Sequence, residues 1–309
     1  MEAYNYEDLE PVSLELGAEG EICQIMYSPE YARVIGLLRA LMAADEVSAR
    51  ALALNSTALR MAPSDYTTWN HRYRLVKALY GADAAKLNAE LDWLDEFTLG
   101  NLKNYQIWSY RQALLRLHPE PKLLRELPVL HMMLQEDAKN YHVWSYRKWA
   151  VLFFGDFRHE LEYAAWMIEG DVYNNSAWAH RMFVLKSTTP SASDIQREVD
   201  YACANIELVP QNSSSWNYLR GLYDQFRGGR YDEDVVDFAL SFTGDLLDSE
   251  SEGNALPEIR SSHALELLAH VYSQEKATHD KARRAYKGLA SAYDPIRRPF
   301  WELQLSKLV

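Results

Sequence analysis

One phrase recurs five times along this chain: Asp65-Tyr-Thr-Thr-Trp69-Asn-His-Arg72, Asn104-Tyr-Gln-Ile-Trp108-Ser-Tyr-Arg111, Asn140-Tyr-His-Val-Trp144-Ser-Tyr-Arg147, Asn174-Asn-Ser-Ala-Trp178-Ala-His-Arg181 and Asn212-Ser-Ser-Ser-Trp216-Asn-Tyr-Leu-Arg220. The tryptophans are 39, 36, 34 and 38 residues apart. Such a period marks a repeat architecture, in which each copy is one supersecondary unit and neighbours stack to bury a shared core. Asp or Asn stands four residues before every Trp. Either side chain is a favoured helix N-cap, because its oxygen accepts from an otherwise orphaned N–H of the first turn. A helix therefore begins at each cap, with the Trp on its first turn. An apolar-periodic stretch such as Ala89-Glu-Leu-Asp-Trp-Leu-Asp-Glu-Phe97 precedes it and predicts an earlier helix in the same unit. The chain is read as all-α, a right-handed superhelical crescent of stacked antiparallel helical hairpins.

Residues 1–25 read as an extended or disordered acidic arm and 26–309 as the repeat domain, with units at about 45–82, 83–119, 120–155, 156–189 and 190–229. Ser28 to Met42 predicts an opening helix with Pro29 in its first turn. Beyond Arg230 the Trp marker is lost. Asp232–Leu247 and Ser261–Tyr272 predict a degenerate sixth hairpin, and Asp280–Tyr293 with Arg297–Leu308 a closing pair. Two further positions keep their type. Glu90, Glu126, Glu160 and Glu198 stand eighteen residues before the Trp in four units, where the first unit has Ala51. Arg follows the Trp by three in four units, and Leu219 takes that place in the fifth. The expectation is a semi-buried ion pair between the Glu and the Arg of one hairpin, setting geometry more than adding stability.

Composition closes several alternatives. A net charge of −12 does not suit broad contact with nucleic acid, which needs a basic face. The two cysteines, Cys23 and Cys203, form no C-x-x-C, so a zinc site made by this chain alone is not expected. The opening segment, with Glu2, Glu7, Asp8, Glu10, Glu15 and Glu19, lacks the pattern of a signal peptide, and no apolar stretch reaches membrane-spanning length. A cytoplasmic protein is expected.

A position constant in every copy serves the scaffold; one that is special in only some copies needs another reason. Around the caps of units two and three stand Lys103, Tyr105, Gln106, Lys139, Tyr141 and His142, where the other units have mostly Ser, Thr or Asn. Stacking sets these positions on one edge, among helix N-termini whose dipoles favour anions. The edge reads either as an anion-binding rim or as solvated caps with tyrosines packed on the next repeat. His71 and His180 take a slot that Tyr fills elsewhere and read as packing residues. No Gly-rich phosphate loop, His-x-x-x-His or Gly-x-Ser-x-Gly is present, so the chemistry must be completed by a partner.

The repeats resemble those of the α subunits of protein farnesyltransferase and type I geranylgeranyltransferase. Lys103-Asn-Tyr-Gln-Ile-Trp108 and Lys139-Asn-Tyr-His-Val-Trp144 are similar to that family's second and third repeats, Gln24-Ile-Met-Tyr-Ser28 to its entry helix, and Asp294-Pro-Ile-Arg-Arg298 to its C-terminal motif. The resemblance implies a heterodimer with a β subunit that ligates the catalytic Zn²⁺. It implies transfer of farnesyl or geranylgeranyl from an isoprenoid diphosphate, with Mg²⁺, to the Cys of C-terminal Cys-a-a-X motifs. It implies Lys103 beside the diphosphate and Tyr105 and His142 in the catalytic surroundings. Gln106 would meet the peptide carboxylate, with Tyr66, Tyr141 and Asn140 among the substrate contacts. A Rab geranylgeranyltransferase α subunit and a tetratricopeptide-like adaptor remain as alternatives. The adaptor reading lacks the Trp-x-x-Leu-Gly-x-x-Tyr signature of its repeats.

Overall fold

The computed structural model describes residues 4–14, 25–247 and 256–308, and every regular element among them is helical. They fall into two compact bodies, Met1–Asp156 and Phe157–Val309. The first holds α1 (Pro29–Ala43) followed by three hairpins: α2 (Ala49–Met61) with α3 (Tyr66–Tyr80), α4 (Ala84–Leu99) with α5 (Tyr105–Leu117), and α6 (Leu123–Glu136) with α7 (Tyr141–Phe154). Ser28 caps α1 and Pro29 opens it, as the local sequence predicts. Residues 4–14 of the acidic arm lie against α1 and α2. Tyr6 donates to the Arg50 carbonyl (2.9 Å), Arg50 pairs with Asp8 (2.7 Å), and Val12 N–H meets the Gly36 carbonyl (3.1 Å). A Cβ on Gly36 would come within 2.8 Å of the Val12 carbonyl oxygen, so α1 needs glycine there. Residues 1–3 and 15–24 of the arm lie outside the described residues.

One set of contacts joins successive hairpins. Between the first and second, Trp69 packs on Tyr110 (centroids 5.2 Å apart), the Tyr110 hydroxyl donates to Glu90 (2.7 Å), and Glu90 takes both Nε and Nη2 of Arg72 (2.6 and 3.0 Å). The second and third repeat the set with Trp108 on Tyr146 (4.9 Å), Tyr146 to Glu126 (2.6 Å) and Glu126 to Arg111 (2.5 and 3.1 Å). The ion pair therefore forms between hairpins, not within one as expected, and it is buried rather than semi-buried: Glu126 and Arg111 side chains are both 0% exposed. Within its own hairpin the Glu meets the Tyr two residues after the Trp. This satisfies a carboxylate that would otherwise be costly to bury.

The cap asparagines have a second contact. Asn104 accepts from Gln106 N–H and Ile107 N–H with Oδ1, while its Nδ2 donates to the Pro63 carbonyl of the preceding hairpin. That same carbonyl accepts the Trp69 indole N–H (2.8 Å). Asn104 thus starts its own helix and ties down the loop of its neighbour, and Asn140 does the same through the Leu102 carbonyl.

The second body contains α8 (Glu160–Gly170) with α9 (Asn175–Ser187) and α10 (Ala192–Leu208) with α11 (Ser213–Phe226). The same contacts recur there. Arg181 pairs with Glu198 (2.6 Å), Tyr218 donates to Glu198 (2.5 Å), and both Asn212 Nδ2 (2.7 Å) and the Trp178 indole (2.8 Å) reach the Val172 carbonyl. His180, in the tyrosine slot, is buried against Glu160 (2.6 Å). A sixth, shorter hairpin of α12 (Glu233–Leu240) and α13 (Ser262–Tyr272) follows; residues 248–255 of its loop lie outside the described residues. Ser261 takes the cap position, accepting from Ala264 N–H and donating to the Pro210 carbonyl (2.6 Å). The array closes with α14 (His279–Gly288) and α15 (Arg298–Ser306). Asp294 accepts the Trp301 indole (3.0 Å), and Arg297 bridges Asp294 to Glu266, so the Asp294–Arg298 motif seats the last helix. Among the described residues no helix is long and apolar enough to cross a membrane.

Candidate functional site

The residues singled out around the caps meet along one edge of the first body, where α3, α5 and α7 begin. Tyr66, Tyr105 and Tyr141 each occupy the first helical residue and point outward, 67%, 56% and 76% exposed. Tyr105 lies over the His142 ring with centroids 6.5 Å apart and 28° between planes, and Tyr141 meets the same ring edge-on at 5.8 Å. Two successive repeats are thus joined into one aromatic surface.

Lys103 is exposed in the turn before α5. Asn104 N–H closes that turn on the Asn101 carbonyl (3.1 Å). Lys139 holds the equivalent place before α7, in a turn closed by Asn140 N–H on Asp137 (3.0 Å). The caps take two N–H groups of each first turn: Gln106 and Ile107 on Asn104, His142 and Val143 on Asn140. The groups here that could meet an anion are therefore the lysines, the phenol hydroxyls and the helix dipoles more than bare backbone donors.

Gln106 is only 7% exposed, and its Nε2 donates to the Ser64 carbonyl of the preceding hairpin (2.7 Å). The amide is held with one N–H spent and a second to give. Asn140, which the resemblance sets among the substrate contacts, is 4% exposed; its Oδ1 accepts from two backbone N–H groups and its Nδ2 donates to the Leu102 carbonyl (2.8 Å). Its polar atoms are occupied within the scaffold, as those of Asn104 and Asn212 are. Among the described residues no group of three or more His, Cys, Asp or Glu could hold a metal ion. The residues missed by sequence reasoning are the loop carbonyls Pro63, Ser64 and Leu102, which receive the three amides; a backbone acceptor leaves no mark on residue type.

The fold and this rim define a class: a hairpin-repeat subunit that offers a lysine, tyrosines, a histidine and an amide along one edge and carries no metal-ligating cluster among its described residues. The model of the protein prenyltransferase alpha subunit repeat matches residues 48–79, 87–118, 123–154, 157–188 and 195–226. The protein farnesyltransferase/geranylgeranyltransferase type-1 subunit alpha of Candida albicans is 41% identical over 314 aligned positions, 99% of this chain and 97% of that protein. Its counterpart from Dictyostelium discoideum is 30% identical over 98% of this chain and 92% of its own length. Among solved structures, Candida albicans protein geranylgeranyltransferase-I complexed with GGPP superposes with a TM-score of 0.88 at 38% identity, covering all of both chains. The chain belongs to the protein prenyltransferase α-subunit family.

Proposed function

We propose that the chain is the α subunit of a heterodimeric protein prenyltransferase of the farnesyltransferase/geranylgeranyltransferase type I kind. It would work with a β subunit in the cytoplasm and move an isoprenoid from its diphosphate to the thiol of a C-terminal Cys-a-a-X motif. The observation that carries this is the rim of Lys103, Tyr105, Gln106, Tyr141 and His142, whose Lys, Gln and His types each occur at their slot only in units two and three, on a scaffold similar over its whole length to such subunits.

The allylic C–O bond of the isoprenoid diphosphate breaks as the thiolate attacks, and negative charge builds on the departing diphosphate. A cation at that place stabilises the transition state more than the ground state, which raises the rate of the chemical step. Lys103 supplies it, with the α5 dipole behind it. Tyr105 and His142, stacked on one another, add donors and an aromatic wall, and Tyr66 and Tyr141 extend the wall along the isoprenoid and peptide. Gln106, oriented by the Ser64 carbonyl, offers its second N–H to the peptide's terminal carboxylate. Zn²⁺ would be ligated by the β subunit, as the family resemblance implies, and Mg²⁺ would accompany the diphosphate. Bound zinc supplies a thiolate nucleophile at neutral pH by lowering the pKa of the substrate thiol.

Co-expression with a farnesyltransferase or geranylgeranyltransferase β subunit tests the proposal. A stable complex should form and prenylate Cys-a-a-X peptides from farnesyl or geranylgeranyl diphosphate, while the isolated chain is inert. A chain that stays monomeric beside every β subunit, with no transfer, would refute it and favour the adaptor reading.

A further inference from the structure

Lys103 sits at the third place of the four-residue turn Asn101–Asn104, closed by Asn104 N–H on the Asn101 carbonyl (3.1 Å). Within that turn one peptide group joins Leu102 to Lys103. Its carbonyl oxygen accepts from Asn140 Nδ2 at 2.8 Å, an amide that belongs to the next repeat and is 4% exposed. On the other side, Asn104 is tied by its own Nδ2 to Pro63 of the previous repeat. The lysine is exposed and long, but the backbone that carries it is gripped from both neighbouring hairpins.

The repeats show what each end of the cap side chain is for. The first unit has Asp65, which caps Thr67 N–H (3.0 Å) and the Thr68 hydroxyl (2.6 Å) and has no amide to give. Units two to five all have Asn, and the described contacts of Asn104, Asn140 and Asn212 each include a donated bond to a carbonyl one repeat back. Capping therefore needs only an acceptor; the donor serves the neighbour. At Asn212 the held peptide leads into Tyr173, whereas at Asn140 it leads into Lys103.

We infer that Asn140 is a positioning residue for the transfer reaction, holding the Leu102–Lys103 peptide plane so that the lysine ammonium is delivered to the departing diphosphate. This rests on the reading of Lys103 given above. It recasts Asn140 from a substrate contact to a group that acts through another residue.

The test uses the assembled heterodimer and the single-turnover rate constant at saturating isoprenoid diphosphate. Asn140→Asp keeps the acceptor that caps α7, as Asp65 does for α3, and removes the donor to Leu102. It should slow transfer by about tenfold, since misplacement of a catalytic group by about 1 Å costs up to two orders of magnitude. Asn212→Asp removes the same bond from a turn without a lysine; it should lower the melting temperature to a similar extent and leave the rate constant unchanged. In a Lys103→Ala background, Asn140→Asp should cause no further slowing. Wild-type transfer by Asn140→Asp beside a slow Lys103→Ala would overturn the inference. So would equal slowing in both backgrounds, which would mean direct repulsion of the diphosphate or general damage. Wild-type transfer by Lys103→Ala itself would overturn the reading of Lys103, and this inference with it.

Discussion

Replacing Glu126 by Leu should be among the most damaging single changes in the chain, although no substrate is expected near it. The carboxylate is fully buried and receives Arg111 Nε, Arg111 Nη2 and the Tyr146 hydroxyl. Removing one partner of a buried pair leaves an uncompensated charge and costs about 3–5 kcal/mol. The orphaned hydroxyl adds about 1–3 kcal/mol. Against this, Asp95 still accepts from Arg111 Nη1 and is partly open to solvent, so it keeps one counter-charge in place. The net expectation is a loss of about 4 kcal/mol. Urea unfolding of the heterodimer at fixed concentration, followed by tryptophan fluorescence, measures it. Arg74→Ala, which breaks the exposed pair with Asp45, is the control and should stay within about 0.5 kcal/mol. Combining Glu126→Leu with Arg111→Met and Tyr146→Phe should recover most of the loss, because an apolar set replaces the network without stranding a charge. A loss below about 1 kcal/mol for Glu126→Leu would refute the view that this network holds adjacent hairpins in register.

Trp144→Ala should act on folding rather than chemistry. Its ring is buried and its indole bonds the Ala138 carbonyl, so soluble complex should fall by the equivalent of about 3–5 kcal/mol while surviving molecules turn over normally. Alkaline pH should unfold the protein through its buried tyrosines. Burial, with the adjacent carboxylates, pushes Tyr110 and Tyr146 well above the usual value. The folded chain therefore keeps protons that the unfolded chain gives up above about pH 10, so stability is whole below that pH and declines above it. The melting temperature should be level to about pH 9 and fall beyond about pH 10, less steeply in Tyr146→Phe. A level curve through about pH 11 would contradict this.

The hairpins could be read from the sequence because a cap, a Trp and an apolar period repeat, and each is a local signal. The same pattern points to the wrong hairpin for the partner of the buried Glu. Yet the signal is present: the first unit lacks the Glu (Ala51) and the fifth lacks the Arg (Leu219), which fits the forward reach of Arg72, Arg111 and Arg181 to the Glu of the next hairpin. A pair confined to one hairpin gives no reason for those two ends to differ. The rim was legible as residue types out of step with the scaffold. What was not legible is how its members are held, because Gln106, Asn104 and Asn140 donate to the carbonyls of Ser64, Pro63 and Leu102, and any residue supplies a carbonyl. Asn140 is an example: its residue type does not reveal that it is 4% exposed or that its amide donates to the Leu102 carbonyl.

The central claim is that this chain contributes directly to transfer through Lys103, and the direct measurement is the single-turnover rate constant of the Lys103→Ala heterodimer at saturating isoprenoid diphosphate. Other repeats fold without a lysine at this slot, having Ser64, Tyr173 and Gln211 there, so assembly and diphosphate binding should survive the change. Loss of one charge-stabilising donor should lower the rate constant by about one to three orders of magnitude. Lys139→Ala, one repeat on, should lower it less. An unchanged chemical step in Lys103→Ala would contradict the account and leave this lysine a solvated residue at the start of a helix.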